Sequence, residues 1–205
     1  MSAIKIALCL GMLGTAALAD PVDDLVAAAG ASFDRMPPVQ VVPEISGRCG
    51  ADEHVNDAAA YCAAENKVYL ARDARIRPEA AYLVAHVMGH AAQVRHGVAD
   101  VALQTIRANR DQEGALRADV TRQVECVAGF LYQRAGLGPA DLTDWFDQEP
   151  FTDSHWGRNP LTVGPKVSIG LAERAAWFAR GQAGDLNACA TANFGADLLL
   201  AALKG

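Results

Sequence analysis

Residues 82–93 read YLVAHVMGHAAQ, an apolar stretch that carries two histidines and no Asp, Glu, Lys or Arg. Pro78 precedes it at a favourable first position of a helix, and Gly97 follows it as a stop signal. The side chains in between recur at the spacing of one helix face. We therefore predict a central, largely buried helix, with one face formed by Leu83, Val87, His90, Ala91 and Val94.

The two histidines of this stretch, His86 and His90, are four residues apart. On a helix this spacing directs both side chains to one face, one turn apart, where they can share a metal ion. In the HExxH pattern of zinc peptidases, the residue after the first histidine is a glutamate that takes a proton from zinc-bound water. Here that residue is Val87, which cannot accept a proton. An HxxxH pattern alone is weak evidence, because two histidines of an ordinary core helix would show it too.

Blocks of sequence before and after this helix resemble the bacterial neutral zinc metallopeptidase family. They follow the order and approximate spacing of that family and cover most of the chain after residue 19. The resemblance implies a zincin-like helical core in which His86 and His90 occupy two metal-ligand positions. The blocks are CG at 49–50, YCAAENKVYL at 61–70, YLVAHVMGHAAQ at 82–93, QVECVAG at 123–129, HWG at 155–157, AER at 172–174, WFARG at 177–181 and GDLNAC at 184–189.

The resemblance also exposes a second departure, in the helix that follows the histidines. The family carries Glu-Leu-Gln-Ala-Asp there, with Glu as the third zinc ligand and Asp orienting a ligand histidine. The chain has TRQVE instead, so Thr121 takes the ligand place and Glu125 the orienting place. A neutral hydroxyl is a poor zinc ligand, whereas Glu125 is one methylene longer than aspartate and is a candidate direct ligand. We therefore expect zinc binding to be weak or lost.

The remaining pattern predicts a mainly α (α+β) fold. Apolar residues at helical spacing predict a helix over 23–34, ended by the prolines at 37 and 38, and a second long helix over 112–135. The β-leaning runs 39–45 and 67–71 predict a small antiparallel β-sheet. Shorter helices are expected over 139–147, 167–181 and from near 185 to the end, with an ordered loop over 150–164.

The chain begins with the features of a signal peptide. Lys5 precedes an apolar run over 6–16, and Ala17-Leu18-Ala19 offers small residues at the positions that a signal peptidase reads. We predict a signal peptide over 1–19, followed by a single zinc-metallopeptidase-like domain over 20–205. The protein is then exported, to the periplasm or the extracellular medium, with no transmembrane segment. A net charge of −6 gives no general attraction to nucleic acid.

Four cysteines follow the predicted cleavage site, and an even number in an exported protein indicates two disulfides with three possible pairings. We favour one bridge between the close pair and one between the distant pair. A zinc site is the alternative, but no CxxC spacing supports it. The predicted bridges are Cys49–Cys62 and Cys126–Cys189.

Three histidines lie outside the helical pair. His155 falls at a histidine place of the family, where it could polarise a carbonyl or serve the site, or else be an ordered loop residue. His96 is ten residues after His86 but lacks the glycine turn of metzincins, so we expect a surface histidine. His54 is expected to face solvent. The neighbouring Glu173 and Arg174 are predicted to form a structural ion pair.

Three functions are compatible with this sequence. The paired loss at Val87 and Thr121 favours a catalytically inactive descendant of a peptidase, because loss of a general base alone lowers the reaction rate by about 10²–10⁴-fold. Such a pseudoenzyme would keep its cleft to bind or scaffold an unknown protein or peptide partner. The second is a zinc-dependent metallopeptidase with an altered active site that uses Glu125 or His155. The third is a metal-binding protein without a peptide partner.

Overall fold

A computed structural model describes residues 20–49, 58–151 and 167–204 of the chain. The fold of these residues is mainly helical, as predicted, with two long helices at its centre and a small sheet at one side. The strands are β1 (Val39–Val42), β2 (Ala59–Cys62) and β3 (Lys67–Ala71). The helices are α1 (Pro21–Ser32), α2 (Ala80–Arg95), α3 (Val98–Ala108), α4 (Glu113–Arg134), α5 (Leu171–Gln182) and α6 (Asp197–Ala202).

The small sheet is confirmed, but it is mixed rather than purely antiparallel. Its strand order is β1-β3-β2, with β1 parallel and β2 antiparallel to β3. Strand β2 was not predicted from the sequence. A short turn over 63–66 joins it to β3, and two strands joined by so short a turn must be antiparallel. Because the chain between β1 and β3 is long enough to cross over, these two strands can pair in parallel.

Helix α2 lies at the centre of the fold, as predicted. It packs against α1, the sheet and α4, and nearly all of its side chains are buried. It approaches α4 closely at Gly89, where an added Cβ would lie 2.8 Å from the carbonyl oxygen of Val124. Near this contact His86, one turn before Gly89, meets Glu125, the residue after Val124, in the interior.

Both predicted disulfides, Cys49–Cys62 and Cys126–Cys189, are present. The second joins α4 to a 3₁₀ turn (Leu186–Cys189). By restricting the unfolded chain, a loop of this length adds about 4 kcal/mol to the free energy of unfolding. Two disulfides fit an exported protein. Of the helices in the described ranges, none has the length and apolar character needed to cross a membrane.

Three segments differ from the sequence predictions. The helix expected over 139–147 is reduced to a 3₁₀ turn, Leu142–Asp144, whose start is capped by the Asp141 side chain. The C-terminal helix is interrupted by a turn before α6, in which the backbone N–H of Thr191 donates to the carbonyl oxygen of Phe194 at 2.8 Å. Helix α3 was not predicted, although Val98, Ala102 and Ile106 place one apolar stripe on it.

Candidate metal centre

The histidine pair projects from one face of α2, as the spacing predicts. The ring centroids of His86 and His90 are 4.9 Å apart, and the two ring planes are nearly perpendicular, at 82°. His86 lies inside the protein, with 3% of its surface exposed. The two imidazoles are therefore close enough to contact one small ligand or ion together.

Glu125 of α4 holds His86 in one orientation. Its Oε1 atom is 2.9 Å from His86 Nδ1, and the Glu125 side chain is fully buried. A carboxylate can only accept here, so the neutral imidazole carries its proton on Nδ1 and keeps its lone pair on Nε2. This is the arrangement by which a carboxylate orients a metal-binding histidine. Glu125 thus fixes the tautomer and the orientation of the His86 imidazole.

Arg174 of α5 binds the same carboxylate from the other side. Its Nη1 atom donates to Glu125 Oε1, and its Nε atom donates to Glu149 Oε1 at 2.8 Å. The hydroxyl of Tyr82 donates to Glu125 Oε2 at 3.2 Å. Arg174 is itself 2% exposed, so a buried guanidinium links two carboxylates across three parts of the chain. Both oxygens of Glu125 have partners within the protein.

Glu149 holds the backbone just before α5 in place through hydrogen bonds. Its carboxylate accepts hydrogen bonds from the backbone N–H groups of Ile169, at 3.0 Å, and Gly170, at 2.9 Å. The hydroxyl of Ser168 also donates to it. Through Arg174, this clamp is continuous with Glu125 and His86.

The electrostatics of the centre follow from this network. Burial by itself raises the pKa of Glu125, but the charge interaction and hydrogen bond with His86, followed by those with Arg174, outweigh it, so the pKa of that carboxyl is lowered. Burial lowers the pKa of His86, and Glu125 opposes that effect only in part. Burial, His86 and Arg174 lower the pKa of His90 well below its usual value. Both pKa shifts favour the neutral imidazole, the form that binds metals.

An aromatic ring covers one face of His86. The ring of Phe151 stacks on the imidazole with a centroid distance of 3.9 Å and an interplanar angle of 6°. Phe151 also has φ at 62°, in the left-handed region that side-chain-bearing residues rarely adopt. Since a metal ion binds in the imidazole plane, this stacking fixes the ring and leaves the direction of Nε2 unchanged.

Val87 and Thr121 stand where the resemblance implies carboxylates, and both make structural contacts in this fold. Val87 is 4% exposed and belongs to the main apolar core. The hydroxyl of Thr121 donates to the carbonyl of Arg117, one turn earlier in α4, at 3.2 Å. Neither side chain supplies a carboxylate for water activation or for holding a cation.

A metal site requires several ligand atoms that lie close together in space. Within residues 20–49, 58–151 and 167–204, the one group of three His, Cys or carboxylate side chains with ligand atoms within 4.8 Å of one another is Cys49, Cys62 and Glu65. His86, His90 and Glu125 do not form such a group. Catalytic zinc sites use three protein ligands, so the described residues do not provide that set around the histidine pair.

The other sequence candidates have mixed outcomes. Glu173 and Arg174 do not pair with each other, because Glu173 binds Arg122 of α4 at 2.7 Å while Arg174 turns inward. His96 is partly exposed, and its ring lies beside that of Phe33, with centroids 5.7 Å apart. His54, His155, the predicted signal peptide and most of the 150–164 loop lie outside the described residues.

Sequence reasoning missed the roles of Arg174 and Glu149. Arg174 carries a usable signal, because it lies on the same helix face as Phe178 and Gly181, and all three are buried. A charged residue on an apolar helix face needs a buried partner of opposite charge. Glu149 shows no comparable pattern, since it lies in an irregular segment.

Comparison of the chain with protein-family models, curated proteins and solved structures gives no match. The likeness to zinc metallopeptidases therefore rests on the sequence blocks quoted above.

Proposed function

We propose that this chain is an exported, degenerate relative of the neutral zinc metallopeptidases that binds a protein or peptide partner and does not hydrolyse it by the family mechanism. The observation that carries the proposal is the burial of Glu125 together with its hydrogen-bond partners. The carboxylate that contacts His86 is fully buried and already bound by Arg174 and Tyr82. It is therefore held as an orienting group and cannot act as a mobile base.

The two substitutions act on different parts of the reaction. Without a carboxylate at Val87, general-base catalysis worth about 10²–10⁴-fold is lost. Without a carboxylate at Thr121, a bound cation has one charged ligand fewer and is held less firmly. Both effects lower hydrolysis, and neither prevents a protein or peptide partner from binding. The compartment consistent with this role is the periplasm or the extracellular medium.

The first test is the zinc content of the purified protein after gel filtration. We expect wild type to retain well below one zinc per chain and to cleave no peptide with zinc supplied. His86→Ala/His90→Ala is the matched control for adventitious metal. Chelator-sensitive peptide cleavage by wild type that disappears in His86→Ala would overturn the proposal.

A second candidate is a metallopeptidase with an altered site. The observation in its favour is the His86–Glu125 hydrogen bond, which is the orientation that a zinc-binding histidine needs. If zinc is retained by wild type and lost from the double-histidine variant, this candidate is preferred. The double variant Val87→Glu/Thr121→Glu then tests whether restoring both carboxylates raises zinc occupancy and peptide cleavage.

A further inference from the structure

The second cluster of potential ligands lies around the accessible disulfide, away from the histidine pair. Cys62 Sγ is 3.7 Å from Glu65 Oε1, and the ligand atoms of Cys49, Cys62 and Glu65 all lie within 4.8 Å of one another. Glu65 is held in place by the hydroxyl of Tyr69, which donates to its Oε2 at 2.5 Å. The carboxylate is thus positioned beside the two sulfur atoms before any ligand arrives.

The two disulfides differ in their access to a reductant. Cys126 and Cys189 are both fully buried, whereas Cys49 is partly exposed at the edge of the small apolar cluster beside the sheet. Thiols and phosphines must reach a sulfur atom in order to cleave the bond. Arg48 lies over the ring of Tyr69, 5.5 Å from its centroid, and Lys67 pairs with Glu65 at 3.7 Å.

We propose that reduction of Cys49–Cys62 converts this cluster into a site for a soft divalent cation such as Zn²⁺ or Cd²⁺. Two thiolates and one carboxylate are its ligands, and solvent supplies the remaining position. A tetrahedral zinc ion with Zn–S bonds of about 2.3 Å holds two sulfurs about 3.8 Å apart, so the side chains of Cys49 and Cys62 must separate slightly once the disulfide is cleaved. The disulfide and the metal-bound state exclude each other, which makes the cluster a thiol switch that is independent of His86 and His90.

The chemistry balances with a phosphine as the reductant. The disulfide, one phosphine and one water yield two thiols and one phosphine oxide, so that sulfur is reduced and phosphorus is oxidised. Binding of Cd²⁺ then releases the two thiol protons to solvent. Thiolate coordination is read from the ultraviolet charge-transfer absorption of the Cd²⁺–sulfur bonds.

The experiment uses the His86→Ala/His90→Ala chain, so that the histidine pair cannot contribute, with Cd²⁺ alone as the probe. After phosphine treatment, mass spectrometry of alkylated peptides should find Cys49 and Cys62 reduced and Cys126–Cys189 intact. The reduced chain should keep its helical circular dichroism, retain about one Cd²⁺ and reoxidise more slowly with Cd²⁺ bound. The oxidised chain should retain none.

Two variants on this background decide the ligand set. Glu65→Gln, which keeps the size of the side chain, should weaken Cd²⁺ binding by about tenfold or more. Cys49→Ser/Cys62→Ser should retain no Cd²⁺ after the same treatment. Equal binding by the oxidised chain or by either variant, or loss of helical structure on reduction, would overturn the proposal.

Discussion

Replacing Glu125 by alanine is expected to lower the free energy of unfolding by about 3–5 kcal/mol, because it leaves a buried guanidinium without its main counter-charge. Arg174 is 2% exposed and would keep only the carboxylate of Glu149. His86 and Tyr82 would lose their acceptor in the same step. Each of these groups is buried where water cannot replace the lost partner. The cost of leaving them without a hydrogen bond therefore adds to the cost of breaking the Glu125–Arg174 ion pair.

Chemical denaturation of wild type and Glu125→Ala measures this effect. Glu173→Ala is the matched control, since Glu173 also pairs with an arginine from another helix but is 40% exposed. We expect that control to lose less than about 1 kcal/mol. The double variant Glu125→Leu/Arg174→Met removes both charges and should cost less than the sum of the two single changes. Equal losses in Glu125→Ala and Glu173→Ala would show that the buried pair is not what stabilises this region.

Replacing Gly129 by alanine is expected to destabilise the protein by about 3 kcal/mol or more, because two helix backbones touch at this residue. A Cβ at Gly129 of α4 would lie 1.9 Å from the carbonyl oxygen of Phe178 in α5. Gly181 of α5 faces α4 in the same way, with a Cβ only 1.8 Å from the carbonyl oxygen of Cys126. The obstacle is backbone on both sides, so no side-chain rotation relieves the clash and the helices must separate.

Gly114→Ala in the same helix is the control. Nothing lies within 4 Å of an added Cβ there, and we expect this change to raise the free energy of unfolding by about 0.5–1 kcal/mol. Gly181→Ala should repeat the loss seen for Gly129→Ala. If Gly129→Ala behaves like Gly114→Ala in denaturant, the close crossing of α4 and α5 is wrong, and with it the approach of Arg174 to Glu125.

The sequence predicted those features that depend on neighbours along the chain. The apolar period and the flanking proline and glycine placed α2 and α4 within two residues of their observed ends. The same local spacing put His86 and His90 on one helix face. The preference for one close and one distant cysteine pair also selected both disulfides.

Only the tertiary structure decided how distant segments pair. Arg174 and Glu125 are far apart in the chain, and they meet because Gly129 and Gly181 let α4 and α5 approach at backbone contact. The parallel pairing of β1 with β3 likewise depends on a crossover that strand-length patterns do not encode. Local periodicity determines which face of a helix is apolar, whereas tertiary packing determines which residue supplies the opposite charge beside a buried charged group. For that reason the sequence by itself predicted that His86 and His90 share a helix face, and the fold revealed how the carboxylate beside His86 is held.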